Sequence, residues 1–89
     1  MTSTLNDLRT QITQVSEDIS ELLGMRHALS IAIGKEKQRL DIPIRDPGRE
    51  AILLHGLVNW NTSGVPPELI EDVFEIIFKY SVEAQTDNL

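Results

Sequence analysis

Residues 5–37 read LNDLRTQITQVSEDISELLGMRHALSIAIGKEK, and this stretch decides the fold. Leu5, Leu8, Ile12, Val15, Ile19, Leu22, Leu29 and Ile33 recur at alternating intervals of three and four. That spacing predicts one long helix with a continuous apolar seam. Arg26 interrupts the seam between Leu22 and Leu29. A guanidinium in an apolar stripe is costly unless an anion meets it there, so Arg26 is the first candidate binding residue.

Continued to about residue 40 from about residue 4, this helix is roughly 55 Å long at 1.5 Å per residue. A compact 89-residue monomer has a radius of gyration of about 12 Å, so the helix would overhang it. Either Gly24 and Gly34 break the helix or a second chain covers the overhang. A glycine in a strongly periodic helix costs only about 1 kcal/mol, which favours the unbroken helix and a dimer.

Working outward, Ser3 or Thr4 is a plausible N-cap, with residues 1–4 frayed. Residues 41–45 (Asp-Ile-Pro-Ile-Arg) form an extended connector, because Pro43 keeps its predecessor out of the helical region. Asp46-Pro47 starts a second helix, aspartate as cap and proline in the first turn, running over about 47–60. Residues 61–65 (Asn-Thr-Ser-Gly-Val) read as a loop. Pro66-Pro67 opens a third helix over about 67–86, striped by Leu69, Ile70, Val73, Phe74, Ile77, Tyr80 and Ala84. The expectation is a single all-α domain, 1–89, of one long and two shorter helices.

Composition narrows the function classes. There is no cysteine, which removes disulfides and thiolate metal sites, and His27 and His55 have no second ligand at metal spacing. A net charge of -6 disfavours nucleic acid, whose phosphates need a basic face. No apolar run is long enough for a membrane span, and the N-terminus lacks a secretory pattern, so a cytoplasmic location is expected. Asn61-Thr62-Ser63 matches a glycosylation acceptor only by chance on that reading. Trp60 is expected to pack.

Any anion site must arise from a few clustered cations among the eight Lys and Arg residues. Lys37 follows Arg26 by eleven residues, three turns, so both project within about 20° of each other and can converge on one ligand. Arg9 precedes Arg26 by seventeen residues, about 25 Å along the axis, and can serve only a site completed by another chain. Arg49 and Glu50 stand in the first turns of the second helix, and Ser81 and Gln85 share a face of the third. Taken singly, each has a bland alternative as a solvated charge or surface polar residue.

Taken together they have a family's spacing. Leu8-Arg9, Leu22-Leu23-Gly24-Met25-Arg26, Lys35-Glu36-Lys37, residues 43–50 (Pro-Ile-Arg-Asp-Pro-Gly-Arg-Glu) and Ser81-Val82-Glu83-Ala84-Gln85 occur in that order. Over about residues 5–86 the chain resembles the all-helical chorismate mutases. The resemblance implies an intertwined homodimeric bundle that converts chorismate to prephenate, on the route to phenylalanine and tyrosine, without cofactor or metal. It implies that Arg26 and the partner chain's Arg9 bind the substrate carboxylates, and that Lys37 and Gln85 hydrogen-bond the ether oxygen. It further implies that Glu50 and the Asp46 backbone bind the ring hydroxyl, that Arg49 orients acidic groups, and that Ser81 contacts a carboxylate. Two departures stand out: Val15-Ser16 where many relatives carry an aspartate, and Gly48 where a charged residue is common. Isochorismate-pyruvate lyases and aminodeoxychorismate mutases share the fold but tend to lack the glutamate matched here by Glu50. A non-catalytic helical dimer is the remaining alternative, supported by the seam alone.

Overall fold

The computed structural model describes residues 3–61 and 63–87. Three helices follow in order, α1 (Ser3–Leu40), α2 (Pro47–Trp60) and α3 (Pro67–Asp87), so the chain is all-α as the periodicity suggests. Helix α1 passes through Gly24 and Gly34 without a break. Ser3 and Thr4, both considered as its cap, lie within the helix, and residues 1–2 fall outside the described ones. Helix α3 continues past Gln85 to Asp87.

The shape follows from α1. The chain measures 61 × 26 × 15 Å, with a radius of gyration of 16.7 Å against the roughly 12 Å of a compact chain this long. Its accessible surface is 7087 Å², where a compact 10 kDa monomer exposes about 5,200 Å². Helix α3 packs on both other helices, while the backbones of α1 and α2 stay more than 8 Å apart. Ala84, 4% exposed, is the single buried hydrophobic side chain among the described residues. Ile12, Val15, Ile19, Leu22 and Leu29 of the α1 seam are all more than half exposed. The α3 stripe divides: Phe74 and Ile77 turn inward, while Leu69, Val73 and Tyr80 stay exposed. Trp60, expected to pack, is 76% exposed at the end of α2.

Local chemistry ends each helix where it does. At the close of α1 the Ile42 N–H donates to the Lys37 carbonyl (3.0 Å) and the Asp41 N–H to the Gln38 carbonyl (3.1 Å). This is the paired C-terminal arrangement that usually places glycine in the left-handed region. Here Asp41 occupies it, with φ at 56°, a conformation the connector's extended reading did not anticipate. Asp46 caps α2 as expected, its Oδ1 accepting from the Arg49 N–H at 3.0 Å ahead of Pro47. In the loop before α3, Asn61 Oδ1 accepts from the Ser63 N–H at 3.1 Å, and Asn61 Nδ2 donates to the Val65 carbonyl at 3.0 Å. The Asn61 amide is thus used at both ends for the turn. Thr62, the centre of the glycosylation match, lies outside the described residues.

The crossing of α1 and α3 is closest at Gly34. A Cβ built there would lie 2.7 Å from Gln85 Cα, 2.8 Å from its carbonyl oxygen and 2.9 Å from its Cβ. Backbone on one helix meets backbone on the other, so any side chain at 34 must push them apart. Gly34→Ala is expected to lower stability by about 1–3 kcal/mol, read as a reduced urea midpoint. Asp41→Gly is expected to act oppositely, raising stability by about 0.5–1 kcal/mol as the left-handed penalty is removed. An unchanged midpoint for the first, or a lowered one for the second, would contradict these packing and backbone arguments.

Candidate active site

The close crossing at Gly34 brings a polar strip of α1 against a polar strip of α3. Arg26, Ser30, Gly34 and Lys37 stand on α1 at intervals of four, four and three, one face over three turns. Opposite them, Ser81 and Gln85 on α3 are 8% exposed each. Arg26 Nη1 donates to Ser81 Oγ at 2.5 Å, and Ser30 Oγ lies 2.6 Å from Ser81 Oγ. One helical level further on, Lys37 Nζ donates to Gln85 Oε1 at 3.0 Å and to the Ile44 carbonyl at 2.7 Å. That second bond depends on the chain reversal at Asp41, which folds the connector back over the end of α1.

These groups line a cleft of about 390 Å³ that also includes Asp46, Arg49 and Glu50 from the start of α2. Ile33, Ile44, Leu53, Phe78 and Val82 form its apolar wall. Its size lies in the usual range for small-molecule sites of roughly 300–1,000 Å³. The Arg26 guanidinium rests over the Phe78 ring, 5.7 Å from its centroid. Burial pushes the Arg26 pKa below its ordinary value, since the charged form loses hydration. The guanidinium nevertheless keeps its charge at any physiological pH, because its starting value is so high. Glu50 is partly screened by Arg45, 3.9 Å from its carboxylate. Arg39 is engaged on the helix exterior by Glu36, at 3.0 and 2.5 Å. That pairing lowers the Glu36 pKa and raises that of Arg39.

Three donors face the cleft with capacity to spare. Lys37 uses two of its three N–H bonds on the protein, leaving one for a ligand. With Gln85 Oε1 facing Lys37, the Gln85 amide nitrogen is left to donate. Arg26 uses one side-chain donor on Ser81 and retains the rest. The arrangement can therefore bind a carboxylate at the Arg26 end and polarise a ligand oxygen at the Lys37–Gln85 end. Among the described residues no group of three or more His, Asp or Glu side chains is disposed to hold a metal ion. No described helix is long and apolar enough to cross a membrane.

Of the residues singled out from sequence, Arg26, Lys37, Asp46, Arg49, Glu50, Ser81 and Gln85 come together around this cleft. Arg9 does not line it and stands toward the far end of α1. Sequence reasoning passed over Ser30, Phe78 and the Ile44 carbonyl. Ser30 could have been found, because it lies four residues after Arg26 and seven before Lys37, on their face. His55 bonds Asn59 across one turn of α2 at 2.8 Å, and His27 is exposed, in keeping with ordinary surface roles.

Comparison with known proteins agrees with this geometry. The profile of the chorismate mutase type II family matches residues 8–86. The chain is 36% identical over 88 residues to the T-protein of Enterobacter agglomerans, covering 98% of this chain and 24% of that protein. It is 34% identical over 84 residues to the bifunctional chorismate mutase/prephenate dehydratase of Buchnera aphidicola, covering 90% of this chain and 22% of that protein. The chain thus spans about a quarter of the length of these curated relatives. Among solved structures it is similar to form II of the chorismate mutase from Thermus thermophilus. That match has a TM-score of 0.88 at 33% identity, over 92% of this chain and 93% of that one. Form I of the same enzyme gives 0.84 at 35% identity, over 88% and 98%. Nearly the full length agrees in both sequence and helical geometry, and the chain belongs to the chorismate mutase type II family.

Proposed function

We propose that this chain is a chorismate mutase, catalysing the Claisen rearrangement of chorismate to prephenate for phenylalanine and tyrosine synthesis. The observation that carries the reading is the placement of Lys37 and Gln85, 3.0 Å apart, each with a donor to spare at the same end of a cation-bearing cleft. In this rearrangement the ether C–O bond breaks while a C–C bond forms, with no proton transferred and no covalent bond to the protein. The requirements are a folded substrate conformer and donors waiting where the ether oxygen gains negative charge.

Arg26, braced by Ser81, holds one substrate carboxylate, and the Phe78 face limits its sideways movement. Lys37 and Gln85 donate to the ether oxygen. Because Lys37 is anchored by the Ile44 carbonyl and Gln85, it needs little reorganisation as charge develops. Glu50 and the Asp46 backbone take the ring hydroxyl, and Arg49 orients the acidic groups beside it. Glu50 also favours chorismate over the isochorismate-cleaving and aminodeoxychorismate reactions of the same fold.

The second carboxylate is assigned to Arg9 of a partner protomer. Two observations support a homodimer: an α1 seam left more than half exposed over most of its length, and a surface well above that of a compact chain. Burying a leucine or isoleucine fully contributes about 1.5–3 kcal/mol, so covering the seam is a large stabilising term. The two chains would each supply Arg9 to the other's cleft.

Purified protein supplied with chorismate alone is expected to form prephenate, identified by product analysis. Lys37→Ala and Gln85→Ala should each lower turnover by about 10²-fold or more at unchanged helical content. Full activity in both variants would remove their assigned roles. Cross-donation is tested by mixing inactive Arg9→Ala and Arg26→Ala proteins under conditions that exchange subunits. Half of the dimers then become mixed and each regains one intact site, restoring about a quarter of wild-type activity. Recovery near zero would place Arg9 outside the partner's site.

A further inference from the structure

The Ser30 hydroxyl behaves unlike its neighbours on α1. Thr10, Thr13 and Ser16 each donate back to the carbonyl four residues earlier, at 3.0, 3.0 and 2.7 Å. That is the default for a helical hydroxyl. Ser30, 4% exposed, instead reaches across to α3 and meets Ser81 Oγ at 2.6 Å. Among the described residues it has no other hydrogen-bond partner.

The direction of this bond can be decided by counting donors and acceptors. Ser81 Oγ already accepts from Arg26, which can only donate. If Ser81 donated to Ser30, its own hydrogen would be used within the protein, and the hydrogen of Ser30, 4% exposed, would have no protein acceptor. If Ser30 donates, both Ser81 lone pairs are filled, by Arg26 and Ser30, and the Ser81 hydrogen is free. Ser81 lines the cleft together with Ser30 and Arg26, so a ligand there can accept that hydrogen. A carboxylate arriving on Arg26 would then accept a charge-assisted hydrogen bond from Ser81 without waiting for the hydroxyl to rotate.

We propose that Ser30 is a positioning residue, donating to Ser81 so that the Ser81 hydroxyl is preset to bind the substrate carboxylate held by Arg26. This rests on the chorismate reading above. The carboxylate keeps its charge throughout the rearrangement, so the interaction is equal in ground and transition states and should act on binding more than on turnover.

The test is a double-mutant cycle of Ser30→Ala and Ser81→Ala in the full chain. Its readouts are chorismate kinetics, calorimetric binding of a bicyclic diacid mimic of the transition state, and thermal midpoints. Ser30→Ala is expected to raise KM, and the Kd of the diacid, by roughly five- to tenfold, with kcat changed by less than about threefold. In the Ser81→Ala background the same substitution should have no further effect on either constant. Additive effects would overturn the proposal, since Ser30 would then act independently of Ser81. Unchanged KM and Kd, or a loss confined to the thermal midpoint, would also overturn it. If wild-type protein neither converts chorismate nor binds the diacid, the functional reading fails and this inference falls with it. Normal wild-type kinetics with an unaffected Ser30→Ala variant would sink the inference alone.

Discussion

The contact between the backbone of α1 at Gly34 and the backbone of α3 at Gln85 underlies the rest of the structure. Without a side chain at 34 the two helices approach until a Cβ would overlap Gln85 within 3 Å. Only at that separation can short polar side chains span the gap. Ser30 reaches Ser81 directly, and Lys37 reaches the Gln85 amide one helical level further on. A wider crossing would admit water between these groups, and the hydrogen bonds that preset the donors would become solvent bonds. The helix crossing and the chemistry of the cleft are therefore the same structural feature.

The cleft also resolves an electrostatic conflict. The chain carries a net charge of -6 and would repel a small anion at long range. Within the cleft, Arg26 and Lys37 lie on one face of α1, desolvated enough that the Arg26 pKa falls below its ordinary value. Partial burial strengthens each local interaction, because fewer waters compete and the effective dielectric is lower. Arg39 is tied to Glu36, and Arg45 lies 3.9 Å from the Glu50 carboxylate, so the charge of these two arginines is partly cancelled. The cleft lining carries Arg26, Lys37 and Arg49 against Asp46 and Glu50, an excess of positive charge within an acidic chain, which suits a site that selects an anion at short range.

The long helix ties the cleft to the rest of α1. A 38-residue helix cannot be covered by helices of 14 and 21 residues that fold back near one end of it. The seam residues that remain exposed, Ile12, Val15 and Ile19 among them, precede Arg26 on the same helix as Arg9. Burial of that seam and delivery of a distant arginine are thereby coupled, since one docking event would accomplish both. A Cβ built at Gly48 would lie 3.7 Å from Asp46 Oδ1, an ordinary contact, and the Asp46 cap that aims α2 at the cleft forms with glycine there.

The sequence by itself determined the helices and the faces on which the cleft residues stand. Periodicity governs this directly: residues at intervals of three, four, seven and eleven share a face whatever surrounds them. The seam, the Arg26–Lys37 pairing and the Asp46-Pro47 start depend on such local relations. Only the tertiary structure decided what those faces meet. Gly34 could be weighed from sequence as a possible break in α1, yet its importance lies in a contact fifty-one residues away. Ser30 looked like one more helical serine until α3 supplied its partner. Asp41 entered the left-handed region as the connector returned over Lys37, and Trp60 stayed exposed at the end of α2. Local spacing is encoded within a few residues, whereas the separation and rotation of two helices depend on every residue between them.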